Sequence, residues 1–298
     1  MIDPIAFEIG PIQLHWYGII IAGAVLIAGL LGSRVAAWLN EDPEDGWSML
    51  LVVIVLAIIG ARIYHVIHLW DFYSANPILI PQIWEGGIGI PGGVAGGALG
   101  IFLYARSKGL NAARWMDVFA PALLLGQAIG RLGNFVNQEL YGPPISQCGT
   151  AFPPCLPWGI QIAAENRVAP WTPAEFPVET TTFVPLFAYE AVLNLIGMAV
   201  ILFVIRRYGP RLLAGDAALM YFMWYGGVRT LLETYRVNNW TILGVPTAMW
   251  VGIIGFIVAG AWLIYRHRRG WGSPMIRPAD APSADPPAPQ PHPEASPG

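Results

Sequence analysis

Seven separate apolar stretches constrain the fold of this chain more than any other feature of its sequence. An α-helix needs about 20 apolar residues to cross the hydrocarbon core of a bilayer. Within that core every backbone polar group must be paired inside its own segment, which favours helices. The apolar stretches cover residues 16–38, 48–70, 88–106, 115–134, 184–205, 215–236 and 244–265. We therefore predict an all-α membrane protein with about seven transmembrane helices.

The overall composition agrees with this class. Of the 298 residues, 55% are hydrophobic and only 12% are charged, and 13 are tryptophan. Few water-soluble domains have this balance. The formal net charge is −3, so the chain offers no basic surface for nucleic acid.

The positions of lysine and arginine predict the orientation in the membrane. Eleven of the 16 basic residues follow spans one, three, five or seven, which all end on the same side. Short loops rich in Lys and Arg stay in the cytoplasm. We therefore predict an N-terminus outside and a cytoplasmic C-terminus. The eleven residues are Arg34, Arg106, Lys108, Arg114, Arg206, Arg207, Arg211, Arg266, Arg268, Arg269 and Arg277.

Two segments outside the spans stand apart. Residues 135–183 form the largest loop, which we predict to be a small extracytoplasmic head on the membrane domain of residues 1–270. Its Cys148 and Cys155 either form a structural disulfide or remain two thiols; no histidine lies nearby in sequence to support catalysis. Residues 271–298 are rich in Pro and Ala and predict a disordered cytoplasmic tail.

Polar side chains crowd the outward end of the fourth span. Arg131 stands there with Asn134, Asn137, Gln138 and Glu139. A continuing helix puts Arg131, Asn134 and Gln138 on one face. The simplest interpretation of a single arginine here is a side chain that extends to the interface. The whole cluster, in contrast, favours a binding site.

A second polar stripe follows one face of the sixth span. Its members, at steps of four, four, four and three residues, are Tyr221, Tyr225, Arg229, Glu233 and Arg236. Arg229 and Glu233 can form a purely structural pair four residues apart. Ionisable groups inside a membrane more often mark a functional site. Two arginines, one on each span, suit a phosphodiester, because a guanidinium group binds phosphate through two hydrogen bonds and stays charged.

The third span contains a Gly-x-Gly-x-x-Gly pattern from Gly87 to Gly92. No soluble strand precedes it, so a dinucleotide site is disfavoured. Its glycines recur every four residues, which is typical of closely packed membrane helices. His65 and His68 on the second span have no further His or Cys in a ligand pattern, so we expect no metal site.

The segment Gly130–Gly142 reads Gly-Arg-Leu-Gly-Asn-Phe-Val-Asn-Gln-Glu-Leu-Tyr-Gly. It resembles the signature of the prolipoprotein diacylglyceryl transferases and matches it at every fixed position. The similarity extends to Tyr225–Arg236, to the opening Ile9–Gly18, to the Tyr189–Glu190 pair and to Gly60–Arg62. It covers nearly the whole membrane domain, but not the tail or most of residues 143–183.

The resemblance implies an enzyme that transfers the diacylglyceryl group of phosphatidylglycerol to the lipobox cysteine thiol of a prolipoprotein. A thioether forms and glycerol 1-phosphate leaves, without a cofactor. The expected partners are phosphatidylglycerol, a prolipoprotein signal peptide and the lipid bilayer, in a bacterial cytoplasmic (inner) membrane crossed several times. The alternatives are a transporter or flippase for an anionic solute or lipid, and a catalytically inactive binding protein of the same pathway.

Residue roles follow from the resemblance and from side-chain chemistry together. Four residues are predicted to be catalytic: Arg131, Arg229, Tyr17 and Glu233. Predicted substrate-binding residues are Arg131, Asn134, Asn137, Glu139, Gly142, Arg229, Tyr225, Arg236, Arg62, Tyr189, Glu190, Gly92 and Gly93. The chain departs from the family at Pro91, because many members carry His-Gly-Gly where this sequence has Pro91-Gly92-Gly93. A histidine general base is therefore excluded at that position.

Overall fold

The computed structural model describes residues 4–10, 12–148, 155–236 and 241–278. These residues form α-helices and two short antiparallel hairpins. The helices are α1 Trp16–Trp38, α2 Pro43–His68, α3 Trp70–Ala75, α4 Ile90–Ser107, α5 Ala112–Val136, α6 Leu186–Tyr208, α7 Asp216–Glu233 and α8 Thr247–Arg269. The hairpins pair β1 Ile5–Ile9 with β2 Ile12–His15, and β3 Thr241–Ile242 with β4 Val245–Pro246.

Each of the seven predicted spans coincides with one long helix. Among the described residues four helices, α1, α2, α6 and α8, are long and apolar enough to cross a membrane. The predicted class, an all-α membrane protein, is confirmed at that level. The second helix begins at Pro43, five residues before the predicted span, because Asp42 caps it by accepting the Glu44 N–H at 2.9 Å. Proline suits this first turn, where no intrahelical partner exists for an N–H group.

Glycine allows α2 and α4 to pack backbone against backbone. A Cβ atom added at Gly92 would lie 2.1 Å from the carbonyl oxygen of Gly60, and one at Gly96 would lie 2.1 Å from that of Leu56. Small residues permit such close approach between membrane helices. The glycine spacing of the third span is therefore a packing pattern.

The main hydrophobic core surrounds the first half of α5. Trp115 and Leu124 of α5 are fully buried, together with Val35 of α1, Leu39 just after α1 and Met49 of α2. The helices α1, α6 and α7 all pack against α5. The central position of α5 fixes where its C-terminal end, and with it Arg131, must lie.

Residues 271–277 pack against this core and do not leave it as a tail. Met275 is fully buried (0% exposed), and its N–H donates to the Leu212 carbonyl at 2.9 Å. Ala214 N–H donates to the Ser273 carbonyl at 2.8 Å, and Arg277 N–H to that of Leu39 at 2.9 Å. The predicted disordered tail from residue 271 is thus wrong for 271–277, while residues 279–298 lie outside the described part. This attachment left no sign in the sequence, because it consists of one buried methionine and a few backbone hydrogen bonds. Neither produces an apolar periodicity in a Pro-rich segment.

Truncation should separate this docked strap (residues 271–277) from the C-terminal residues beyond it. Met275→Ala should lower the free energy of unfolding by about 2–5 kcal/mol, the range for a buried Met replaced by Ala. Deletion of residues 279–298 should leave stability unchanged, because that Pro- and Ala-rich sequence has no apolar periodicity with which to form a core. Thermal unfolding in detergent measures both. Equal stability of the Met275→Ala variant and the wild type would contradict the docking.

Candidate functional site

The end of α5 makes a strained turn that returns the chain over its own last residues. Gln138 and Leu140 both adopt left-handed backbone, with φ of 54° and 57°. Such non-glycine conformations cost roughly 1–3 kcal/mol each and persist only where the surroundings hold them. Gln138 Oε1 accepts the Ala163 N–H at 2.7 Å, which ties the turn to a later part of the head. The turn carries Glu139 back over α5, where its N–H donates to the Asn134 carbonyl at 2.8 Å.

Three polar side chains of this turn form one hydrogen-bonded group with Arg131. Glu139 accepts from Asn137 Nδ2 at 2.8 Å and from Asn134 Nδ2 at 3.4 Å. Asn134 Oδ1 in turn accepts from Arg131 Nη1 at 2.9 Å. Glu139 therefore orients the asparagines, and Asn134 orients the guanidinium group of Arg131.

Charged residues of α6 and of the α7 end complete the cluster. Arg131 Nη2 makes an ion pair with the buried Glu190 of α6. Arg236 lies between two carboxylates, with Nη2 3.9 Å from Glu190 and Nε 3.7 Å from Glu233. Arg229 Nη2 lies 3.1 Å from Glu233 Oε2. The pair four residues apart is therefore present, as one part of a network joining α5, α6 and α7.

Among the described residues, three guanidinium groups, Arg131, Arg229 and Arg236, pair with the two buried carboxylates of Glu190 and Glu233. The third carboxylate of the cluster, that of Glu139, accepts hydrogen bonds from the two asparagines instead. Arg236 also interacts electrostatically with Arg131 and Arg229. The buried Nε of Arg131 has no hydrogen-bond partner among the described residues. These guanidinium donors suit an anion such as a phosphodiester.

Aromatic residues border the cluster. Tyr17, at the start of α1 and 40% exposed, covers Gly133, where an added Cβ atom would lie 2.6 Å from the ring. Tyr225 stacks on Tyr221 with ring centroids 6.1 Å apart. The Tyr221 hydroxyl accepts from Gln127 Nε2 at 2.9 Å. Tyr17 thus lies against Gly133, two residues after Arg131, and Tyr225 lies one helical turn before Arg229. Their predicted roles in catalysis and substrate binding stay predictions.

The head packs against α6 beside the same cluster. Tyr189, next to Glu190, accepts the Leu156 N–H through its hydroxyl at 3.1 Å, and Trp158 meets its ring edge-on at 5.8 Å. Cys148 and Cys155 form a disulfide, which decides between the two alternatives left open for them. The interpretation of Tyr189 as a substrate-binding residue stays a prediction; its observed contacts join the head to α6.

Arg62 belongs to a different place and has a different task. Its guanidinium group donates to the carbonyl oxygens of residues 79, 80, 86 and 87 at 2.5–2.9 Å, and it stacks on Tyr73 at 5.1 Å. Its donors all point to carbonyls of the segment that leads into α4. Arg62 therefore anchors this segment and does not join the arginine cluster.

Three predicted glycines also have packing contacts away from the cluster. Gly92 and Gly93 face α2, and a Cβ atom added at Gly93 would lie 3.6 Å from that of Ala61. Gly142 packs on Val184 and Leu186, where an added Cβ atom would lie 3.1 and 3.2 Å from their nearest atoms. These contacts explain the glycines without a ligand.

Two polar residues near the cluster were not predicted. Gln127 lies one helical turn before Arg131 on α5, and Asn194 one turn after Glu190 on α6. Asn194 is almost fully buried (1% exposed), and neither atom of its carboxamide has a partner among the described residues. The four-residue spacing from a charged residue was the available signal.

Comparison with known proteins agrees with the signature residues. A family model described as prolipoprotein diacylglyceryl transferase matches residues 4–265. The chain is 37% identical over 269 residues to a phosphatidylglycerol–prolipoprotein diacylglyceryl transferase of Streptococcus equi subsp. zooepidemicus, covering 90% of this chain and 97% of that protein. It is also 37% identical over 285 residues to the protein of that name in Chloroflexus aggregans, covering 90% of each. With the Streptococcus mutans protein the identity is 34% over 278 residues, covering 93% and 100%.

Arg62→Lys should loosen the segment before α4, because an ammonium group cannot reproduce the planar set of guanidinium donors. Each charge-assisted hydrogen bond that is not remade should cost about 1.5–3 kcal/mol. Hydrogen exchange of residues 79–90 should become faster than in the wild type. Arg34→Lys, at an exposed position on α1, is the matched control. Unchanged exchange in Arg62→Lys would contradict the anchoring role.

Proposed function

The chain belongs to the prolipoprotein diacylglyceryl transferase family, and from that premise we propose that it lipidates prolipoproteins. The diacylglyceryl group of phosphatidylglycerol moves to the lipobox cysteine. A carbon–sulfur bond forms at the glycerol carbon that carried the phosphate, and the carbon–oxygen bond at that carbon breaks. Glycerol 1-phosphate leaves, and the thiol proton passes to a base. The observation that carries this proposal is the arginine cluster, in which three guanidinium groups from α5 and the α7 end converge on two buried carboxylates.

All seven long helices cross the membrane in this proposal, with the N-terminus outside and the C-terminus in the cytoplasm. The shortest, α4 and α7, have 18 residues each and thus span about 27 Å, close to the hydrocarbon thickness. The eleven basic residues lie in the C-terminal halves of α1, α4, α6 and α8 or in the sequence that follows them, which supports this orientation. The arginine cluster then lies in the outer half of a bacterial inner membrane, facing the leaflet that a secreted peptide meets.

Arg131 and Arg229 bind the phosphate in this mechanism. Phosphatidylglycerol is a phosphodiester with one negative charge, and a guanidinium group binds such a phosphate through paired hydrogen bonds. As the carbon–oxygen bond breaks, a second negative charge develops on the leaving phosphate. Guanidinium groups already held in place stabilise this charge without reorganisation.

The neighbouring side chains have distinct tasks. Glu190 and Glu233 orient the arginines, since their described contacts to the cluster are ion pairs. Asn134 and Asn137, held by Glu139, orient glycerol or phosphate oxygens. Tyr17 is then the better candidate of the two predicted relays for the thiol proton, because Glu233 is engaged by Arg229 and Arg236.

A transporter would also place arginines among helices. Transporter folds usually carry internal repeats, with binding groups near the middle of the bilayer. The sequence has no evident repeat, and its charged cluster is displaced toward one side. A non-catalytic binding protein of the same pathway remains the second candidate, because Pro91 replaces the histidine found in many relatives.

Lysine replacements test phosphate recognition. Lysine keeps the positive charge but loses the planar fork, so Arg131→Lys and Arg229→Lys should each lower turnover. Loss of one transition-state contact of this kind costs about 3–4 kcal/mol, a few hundredfold in rate. Mass gain of a lipobox peptide incubated with phosphatidylglycerol measures turnover. The control is Arg211→Lys, at an exposed position far from the cluster in sequence. Near wild-type turnover in both test variants would contradict recognition through paired hydrogen bonds.

The proline at position 91 tests whether the histidine is required. Pro91 is exposed at the start of α4, where a missing N–H group is tolerated. The wild-type protein should transfer diacylglyceryl to the peptide, and Pro91→His should change its rate only modestly, since two cations near the thiol favour the thiolate. The same mass assay decides the matter. Transfer by Pro91→His but not by the wild type would assign the missing base to that histidine and make this chain a binding protein.

A further inference from the structure

A second polar group lies one helical turn further into the membrane from the arginine cluster. Gln127 precedes Arg131 by four residues on α5, and Asn194 follows Glu190 by four on α6. Four residues of helix rise about 6 Å. Because Arg131 and Glu190 form an ion pair, these two carboxamides lie at a similar depth on facing helices.

Tyr221 of α7 joins this inner group. Its hydroxyl accepts from Gln127 Nε2 at 2.9 Å, and it interacts electrostatically with Glu190. As the hydroxyl oxygen already accepts this hydrogen bond, its own proton remains free to be donated. Gln127 keeps a second N–H for the same purpose. The inner group thus offers several donors, beside the buried oxygens Gln127 Oε1 and Asn194 Oδ1, which have no partner among the described residues.

Asn194 is the strongest indication of a ligand. Both polar atoms of its side chain are buried and have no hydrogen-bond partner among the described residues. A buried polar group left without a partner costs about 1–3 kcal/mol. If Asn194 served only to pack α6 against α5, an apolar side chain of similar shape would do so without this cost. Ile201, two helical turns further along the same face of α6, is such a buried apolar residue.

We propose that Asn194, Gln127 and Tyr221 bind the fatty-acyl ester carbonyls of the lipid donor. This inference rests on the proposed function and adds a second subsite to it. In a glycerophospholipid the glycerol backbone alone separates the phosphate from the ester carbonyls, a spacing comparable to one helical turn. A phosphate held at Arg131 therefore brings the carbonyl oxygens, which only accept hydrogen bonds, to a group of donors.

Such a subsite would align the reacting carbon. Two fixed points, the phosphate and an ester carbonyl, orient the glycerol carbon between them for attack by the thiolate. Correct orientation of reacting groups lowers the barrier substantially. The subsite would also distinguish diester lipids from lipids whose chains are attached through ethers.

Paired lipids and variants test the subsite. Diester phosphatidylglycerol is compared with a diether analogue of equal chain length, and kcat/KM for peptide lipidation is measured with each. The wild type should prefer the diester by about tenfold for each hydrogen bond to a carbonyl. Tyr221→Phe removes one hydroxyl group, and Asn194→Leu removes the carboxamide at similar volume. Each should lose about tenfold on the diester and little on the diether, so the preference falls.

If these side chains had a purely structural role, their replacement would lower kcat/KM equally for the diester and the diether. Ile201→Val, a conservative core change on the same face of α6, is the control and should leave the preference unchanged. An unchanged preference in Tyr221→Phe and Asn194→Leu, or no preference in the wild type, overturns the subsite. If Asn194→Leu does not fold, Tyr221→Phe decides alone.

Lipid binding without the peptide keeps the two proposals separate. The ratio of dissociation constants for the diester and the diether should show the same preference in the wild type and the same decrease in Tyr221→Phe. Absence of transfer with this binding preference intact would contradict the proposed function and leave the carbonyl subsite standing. Transfer from the diester and the diether at equal rates would contradict the carbonyl subsite and leave the proposed function standing.

Discussion

The ion pair between Arg131 and Glu190 is the interaction on which the arrangement of the helices depends. A charged side chain inside a bilayer is costly unless it is paired, and loss of one buried partner leaves the other uncompensated. Glu190 also lies close to Arg236, which stands just past the end of α7 and pairs with Glu233. The helices α5, α6 and α7 are thus held together by ion pairs. The apolar α1 packs on α5, and the apolar α8 packs on α7.

Much of the fold could be predicted from the sequence, because a long apolar run has few alternatives in a membrane. The errors concern features without periodicity. Asp42 and Pro43 extend α2 beyond its apolar stretch, since a cap depends on one or two residues. The strap around Met275 went undetected because its attachment consists mainly of backbone hydrogen bonds, which any residue can form. Composition describes a segment on average, and a single buried residue hardly changes that average.

The site was predictable where its residues are neighbours in sequence. Arg131, Asn134 and Glu139 meet because one turn of helix and one reversal bring them together. Arg62 illustrates the limit of prediction from sequence. An arginine near the end of a span gives the same sequence pattern whether it binds a ligand or backbone carbonyls. Only the fold distinguishes these cases, by bringing four carbonyl oxygens to its guanidinium group. The unsatisfied carboxamide of Asn194 was likewise invisible, because its meaning lies in the contacts that it lacks among the described residues.

Both ends of α5 are fixed to α7, and this explains how the arginines keep their spacing. Near the N-terminus of α5, Asp117 accepts the N–H groups of Gly215 and Ala218 at 2.6 and 3.0 Å, capping the start of α7. Near the C-terminus of α5, Arg131 connects through Glu190 to Arg236, just past the end of α7. Two helices fixed at both ends cannot slide along each other without breaking a buried polar contact. The guanidinium groups are therefore held in register before a substrate arrives, which is the condition under which fixed charges contribute most to catalysis.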